Sequence, residues 1–167
     1  MAPRPTGSSE GAPIAQLVAV ATRAEITEWA GGMGETIMLL PTTLCLAAAA
    51  AIINLWISIR IGQLRVATKV VHGDGGDESL MRRMRGHANF TENVPLVLIL
   101  IGVIEAAGKG GTWLAVLGGV FMLTRVGHVI GMDRAGPHPT RAVGAGVTML
   151  TQVGLAVVAL LIALGRF

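Results

Sequence analysis

Apolar residues along this chain fall into four long runs, and polar residues interrupt only the middle two. Residues 36–59 and 142–165 each contain 24 residues without a charge. A helix of that length, about 36 Å, is enough to span the hydrocarbon core of a bilayer. Residues 93–104 and 110–124 form shorter uncharged runs, each joined to a polar stretch. The pattern predicts four transmembrane helices, at about residues 36–62, 79–107, 112–132 and 139–165.

The first 32 residues differ from the rest of the chain. Residues 1–13 are small, polar and rich in proline and glycine, and residues 14–30 have only a weak amphipathic pattern. We expect residues 1–32 to form a disordered tail or a short interfacial helix. Residues 33–167 are predicted to form one four-span membrane domain.

The composition supports an all-α integral membrane four-helix bundle. The chain is 52% hydrophobic and 14% charged, with a mean hydropathy of +0.65, whereas a soluble domain carries roughly 25% charged residues. Abundant alanine and glycine suit close packing of helices in lipid. The basic residues lie at membrane borders, so we expect the lipid bilayer and not nucleic acid as partner.

The positions of the basic residues also predict an orientation. Most of them lie around the loop between spans one and two and the loop between spans three and four. The positive-inside rule places both basic loops in the cytoplasm and both termini outside. The polar ends of the two middle spans then lie on the cytoplasmic side.

A polar stripe marks the start of the second span. Arg85, Asn89 and Glu92 are spaced i, i+4 and i+7, so their side chains share one helical face. Ionisable groups at bilayer depth usually face a bundle interior or a wet cavity. A ligand with both carboxylates and an ammonium, such as an acidic peptide, would suit them, since arginine binds carboxylates through paired hydrogen bonds. The topology brings the stripe to the same membrane level as Arg65, Arg125, His128 and Arg141.

Structural roles compete with this interpretation. Arg85 and Glu92 fit an internal ion pair equally well, and His128 fits a hydrogen-bonded packing residue. Asn54 in the first span is expected to join helices, and Glu105 near the opposite border is expected to be solvated. No pair of histidines has the spacing of metal ligands, and the single cysteine cannot form a thiol metal cluster, so we predict no metal site. A further group is predicted to be topology or snorkelling charges: Arg60, Lys69, Arg82 and Arg83.

Three motifs resemble those of the MAPEG family, the membrane-associated proteins in eicosanoid and glutathione metabolism. Residues 85–92, with the sequence RGHANFTE, followed by Pro95, look like the family's R-x-x-x-N-x-x-E signature. Residues 62–65, GQLR, look like the end of its first span. Residues 125–128, RVGH, followed by Arg141, are similar to the pattern of its third and fourth spans. The resemblance covers about residues 36–165.

This resemblance implies a homotrimer with glutathione bound between neighbouring subunits. By similarity, the residues that hold glutathione would be Arg65, Arg85, Asn89, Glu92 and His128. Arg141 would be the catalytic residue that stabilises the glutathione thiolate. A lipophilic electrophile would reach the sulfur from the bilayer, which implies transferase or peroxidase-like chemistry.

The chain departs from the eukaryotic members in several places. It has no tyrosine, whereas those members place tyrosines around glutathione; Met132 stands where one is expected, and Ala88 replaces an arginine of the prostaglandin synthase branch. The Ala/Gly-rich chain looks more like bacterial members, which implies a bacterial inner membrane. The alternative is a non-catalytic trimeric membrane protein that binds an anionic amphiphile or serves as a scaffold.

Overall fold

The computed structural model describes residues 39–167, and every regular element in that range is a helix. The expectation for residues 1–32, and the first residues of the first predicted span, lie outside the described residues. The helices are α1 (Pro41–Thr68), α2 (Glu78–Ile104), α3 (Thr112–Met132) and α4 (Pro139–Ala163). Helix α2 continues into one turn of π-helix over Glu105–Lys109.

All four helices are long and apolar enough to cross a membrane. The protein is therefore an integral membrane protein, and the prediction of an all-α four-helix bundle is confirmed. Its core consists of side chains that are almost fully buried between the helices, including Ile57 of α1, Val97 and Ile101 of α2, Phe121 of α3 and Leu155 of α4. Many large apolar side chains also face outward, which is expected where the solvent is lipid.

The start of α2 is fixed by Asp77, the residue that caps this helix. The Asp77 carboxylate accepts hydrogen bonds from the Leu80 N–H at 2.9 Å and from the Ser79 hydroxyl. These bonds, the one from Ser79 first, lower the pKa of Asp77 below its ordinary value of 3.8. A carboxylate at this position satisfies a backbone donor that the helix itself leaves open.

At the end of the bundle that carries the α1–α2 and α3–α4 loops, Asp133 joins three elements. Its carboxylate pairs with Arg60 of α1 and lies 3.6 Å from Nε of Arg83 in α2. Arg83 also donates to the backbone oxygen of Arg60 at 2.9 Å, and the Arg60 guanidinium lies 4.7 Å from the centre of the Trp56 ring. The interpretation of Arg60 and Arg83 as mere topology charges is therefore wrong. Both connect helices.

At the opposite end, Glu105 closes the start of α1, so the expectation that it is solvated is also wrong. Its carboxylate accepts from the N–H groups of Thr42 and Thr43, both at 2.9 Å, and from the Thr43 hydroxyl at 2.7 Å. Leu40, the residue before the helix, supplies no side-chain cap. Glu105 is thus a cap supplied by a second helix, and its negative charge suits the positive end of the α1 dipole.

We expect Glu105→Gln to lower the free energy of unfolding by about 1–2 kcal/mol, the usual effect of weakening a charged helix cap. Chemical unfolding in detergent, followed by helical circular dichroism, measures this change. Glu78→Gln is the matched control because Glu78 is exposed and makes only an i, i+4 pair with Arg82; it should cost less than about 0.5 kcal/mol. Equal effects of the two substitutions would contradict the capping role.

Candidate functional site

A pocket of about 770 Å³ opens at the end of the bundle that carries the α1–α2 and α3–α4 loops. Its walls come from α2, α3, α4 and the segment that joins α3 to α4. No aspartate or glutamate of residues 39–167 lines it, so within this part of the chain the pocket is a site of concentrated positive charge. The basic side chains that line it are Arg82, Arg85, Arg134, Arg141, His128 and His138.

Arg125 lies buried behind this pocket, with only 1% of its surface exposed. Its guanidinium donates to Asn89 Oδ1 at 2.8 Å and to the backbone oxygen of Gly144, and it lies 5.8 Å from the centre of the Phe121 ring. It makes no ion pair with any carboxylate of residues 39–167. Neutral oxygens therefore hold this charge, which adds to the positive potential of the pocket.

The hydrogen bond to Arg125 fixes the orientation of the Asn89 amide. Because Oδ1 accepts from Arg125, the Asn89 NH₂ group remains a donor at the pocket wall. The backbone oxygen of Asn89 accepts from Asn93 at 2.7 Å, and the Asn93 side chain in turn accepts from Gln152 of α4 at 3.1 Å. This chain of hydrogen bonds joins α2, α3 and α4 below the pocket.

His128 is positioned by the start of α4. Its Nδ1 lies 2.9 Å from the backbone oxygen of Arg141. A carbonyl oxygen only accepts, so Nδ1 must be the donor, and Nε2 remains for a further hydrogen bond. Gly144 permits this approach of the helices, because a Cβ at that position would lie 2.6 Å from the Cβ of His128 and 3.0 Å from the backbone oxygen of Thr124.

Four of the six site residues suggested by the family resemblance line this pocket: Arg85, Asn89, His128 and Arg141. Arg65 does not. Its guanidinium donates to the backbone oxygen of Val71 and to the sulfur of Met84, both at 3.3 Å. The pocket is thus built by three helices, whereas the sequence had suggested a contribution from all four.

Glu92 also lies outside the pocket lining. Its side chain is exposed on α2 and has no ion pair or hydrogen bond with any residue of the described part of the chain. The alternative of an Arg85–Glu92 ion pair within one subunit is therefore wrong, because the salt bridges of residues 39–167 do not include it. The exposure of Glu92 leaves its carboxylate available to a neighbouring molecule.

Sequence reasoning missed three basic side chains of the pocket. Arg82 was taken as a border charge, although it lies three residues before Arg85 and therefore on the same face of α2. Arg134 and His138 belong to the connection between α3 and α4, for which no helical periodicity exists to predict a direction. The prediction that Asn54 joins helices is confirmed, since its Oδ1 lies 2.8 Å from Nε2 of His87 in α2.

The chain matches known proteins over most of these helices. The model of the MAPEG family matches residues 43–161. Two relatives, both called "Inner membrane protein YecN", come from Escherichia coli strains K12 and O6:H1, and each is 30% identical over 86 residues. Those residues are 51% of this chain and 65% of each relative, so the match spans less than two thirds of the relatives' length.

We expect Gly144→Ala to destabilise the α3–α4 contact behind the pocket. The added methyl group would collide with His128 and the α3 backbone, and overpacking of this kind costs about 1–3 kcal/mol. Chemical unfolding in detergent measures the change. Gly146→Ala is the control on the same helix, because nothing lies within 4 Å of its Cβ position; there the substitution should be neutral or slightly stabilising. A tolerated Gly144→Ala would contradict the close approach of α3 and α4.

Proposed function

This chain belongs to the MAPEG family, and we propose that it binds glutathione in the arginine-lined pocket and activates the thiol. The observation that carries the proposal is the charge of the pocket: among the described residues, four arginines and two histidines line it, without an acidic side chain. Such a site favours a small ligand with more than one anionic group. The reaction would be transferase or peroxidase-like, with a lipophilic electrophile that arrives through the bilayer.

The chemistry of glutathione matches these groups. It has two carboxylates, which arginine binds through paired hydrogen bonds, and a thiol whose reactive form is the thiolate. Lowering a thiol pKa by about two units requires only about 2.7 kcal/mol of differential interaction. We assign this role to Arg141, which lines the pocket and whose side chain has no hydrogen-bond partner within residues 39–167.

The remaining pocket residues would orient the tripeptide. Asn89 would donate its amide to a ligand oxygen, with Arg125 as the buried residue that holds the amide in place. Nε2 of His128 and the guanidinium of Arg85 would provide further contacts. Arg125 does not touch the pocket itself, so in this scheme it is a positioning residue and Asn89 is a binding residue.

We further propose that the site is completed in a homotrimer. An exposed carboxylate at bilayer depth is costly, and Glu92 has no partner among residues 39–167 of its own subunit. A neighbouring copy that covers Glu92 would remove this cost and would place its carboxylate near the ligand ammonium. Arg65, whose guanidinium donates to Val71 and Met84 within the described part of its own chain, would contribute to the same interface.

The second candidate is a non-catalytic trimeric membrane protein that binds an anionic amphiphile or serves as a scaffold. Two observations favour it. The pocket wall on α4 includes the small apolar residues Ala142 and Ala145 beside the arginines, a combination that would also suit a charged headgroup with its first apolar carbons. The chain also has no tyrosine hydroxyl with which to assist a thiolate.

The cellular setting belongs to the same proposal. The relatives are inner membrane proteins by name, and we propose a bacterial inner membrane for this chain as well. The basic loops would lie in the cytoplasm, with both termini outside. The pocket would then open to the compartment in which glutathione is abundant.

Titration calorimetry and ultraviolet absorbance test thiol activation. Purified protein in detergent should bind glutathione and show a thiolate absorbance near neutral pH. Arg141→Ala should abolish that absorbance, because the cation beside the sulfur is lost. Arg166→Ala is the control, since Arg166 follows the end of α4 and lies far along the helix from the pocket. Absence of binding to the wild-type protein would favour the second candidate.

Glu92→Gln separates ligand binding from assembly. Loss of the carboxylate should weaken glutathione binding about tenfold, the effect of one lost charged contact, while native mass spectrometry still shows a trimer. Glu105→Gln, which removes a carboxylate at the opposite end of the bundle, should leave the affinity unchanged. A wild-type monomer, or loss of the trimer on Glu92→Gln, would contradict the role given to Glu92.

A further inference from the structure

Five consecutive residues after Asp133 form one wall of the pocket. All residues of this rim segment, 134–138, line the cavity, and they include the cationic side chain of Arg134. The rim segment lies between the end of α3 and the start of α4. Within it, neither a regular helix nor a strand holds the backbone in place.

Asp133 is the residue whose side chain connects the start of the rim segment to α1 and α2. Its carboxylate contacts Arg60 of α1 and Arg83 of α2, two side chains that do not line the pocket. Arg83 also donates to the backbone oxygen of Arg60, so the three side chains form one connected cluster. Through it, the position of the rim depends on α1, the helix that contributes nothing to the pocket wall.

The partial burial of this cluster makes it stronger than an ordinary surface pair. The side chains of Arg60, Asp133 and Arg83 are 20%, 23% and 29% exposed. Exposed ion pairs contribute little to stability because water screens them. Here one carboxylate pairs with two guanidinium groups that are mostly shielded from water. Networks of this kind fix side-chain positions better than isolated pairs do.

We propose that Asp133 is a positioning residue for the pocket: by binding Arg60 and Arg83 it holds the rim segment so that Arg134 meets the outermost anionic group of the ligand. The inference rests on the proposed function, since it requires an anionic ligand. It adds Arg134 as a binding residue and assigns α1 an indirect part in binding. Asp133 itself does not touch the ligand.

A double-mutant cycle tests whether Asp133 acts through Arg134. Glutathione affinity is measured by calorimetry for Asp133→Asn, for Arg134→Gln and for the protein with both substitutions. Each single substitution should weaken binding about tenfold, the effect of one lost contact to a charged group. The double variant should bind no more weakly than the weaker single variant, because the contact that Asp133 supports is already lost. Asp133→Glu, which keeps the charge, should restore most of the affinity.

Glu105→Gln provides the matched control. Glu105 also joins two helices through its carboxylate, but at the opposite end of the bundle. A variant with a comparable loss of stability there should bind glutathione as the wild-type protein does. The positioning role would be overturned if the double variant lost affinity by the product of the two single losses. It would also be overturned if Glu105→Gln lost as much affinity as Asp133→Asn.

Hydrogen exchange of the ligand-free protein gives a readout that does not depend on glutathione. Amides of the rim segment should exchange faster in Asp133→Asn than in the wild-type protein or in Glu105→Gln. If the wild-type protein binds no glutathione, the proposed function fails. The exchange rates of the rim-segment amides still test whether Asp133 holds that segment in place. Unchanged exchange in Asp133→Asn would overturn the inference by itself.

Discussion

The buried guanidinium of Arg125 is the constraint on which the rest of the site depends. A charge removed from water must find hydrogen-bond acceptors or it becomes very costly. In this bundle the acceptors are the Asn89 side chain of α2 and the Gly144 backbone oxygen of α4. To reach both, α3 must lie close to two other helices. The same contacts orient Asn89 toward the pocket.

The absence of a carboxylate beside Arg125, within the described residues, has a chemical consequence. An ion pair would neutralise the charge, whereas two neutral oxygens leave its field directed at the pocket. The arginines around the pocket mouth reinforce that field. A binding site that holds its positive charges in place before the ligand arrives needs no rearrangement to stabilise an anion. Positive charges held in place in this way favour a ligand with several anionic groups and a reactive thiolate.

The sequence predicted the helices well and the ends of the bundle poorly. Uncharged runs such as 142–165 are long enough to require a span, and the i, i+4 spacing of Arg85 and Asn89 placed both on the pocket face. Glu105 was expected in water, since nothing in the linear order shows that it lies beside the start of α1. Asp133 was missed for the same reason: its partners Arg60 and Arg83 come from other helices. Contacts between distant segments depend on packing, which periodicity does not encode.

Cryo-electron microscopy of the protein in lipid nanodiscs with glutathione would show whether the arginine-lined pocket binds the tripeptide. We expect a trimer with tripeptide density in each arginine-lined pocket, the sulfur beside Arg141 and one carboxylate near Arg134. Glu92 should face a neighbouring subunit. A map with empty pockets at saturating glutathione, or with acyl-chain density among the arginines, would contradict it.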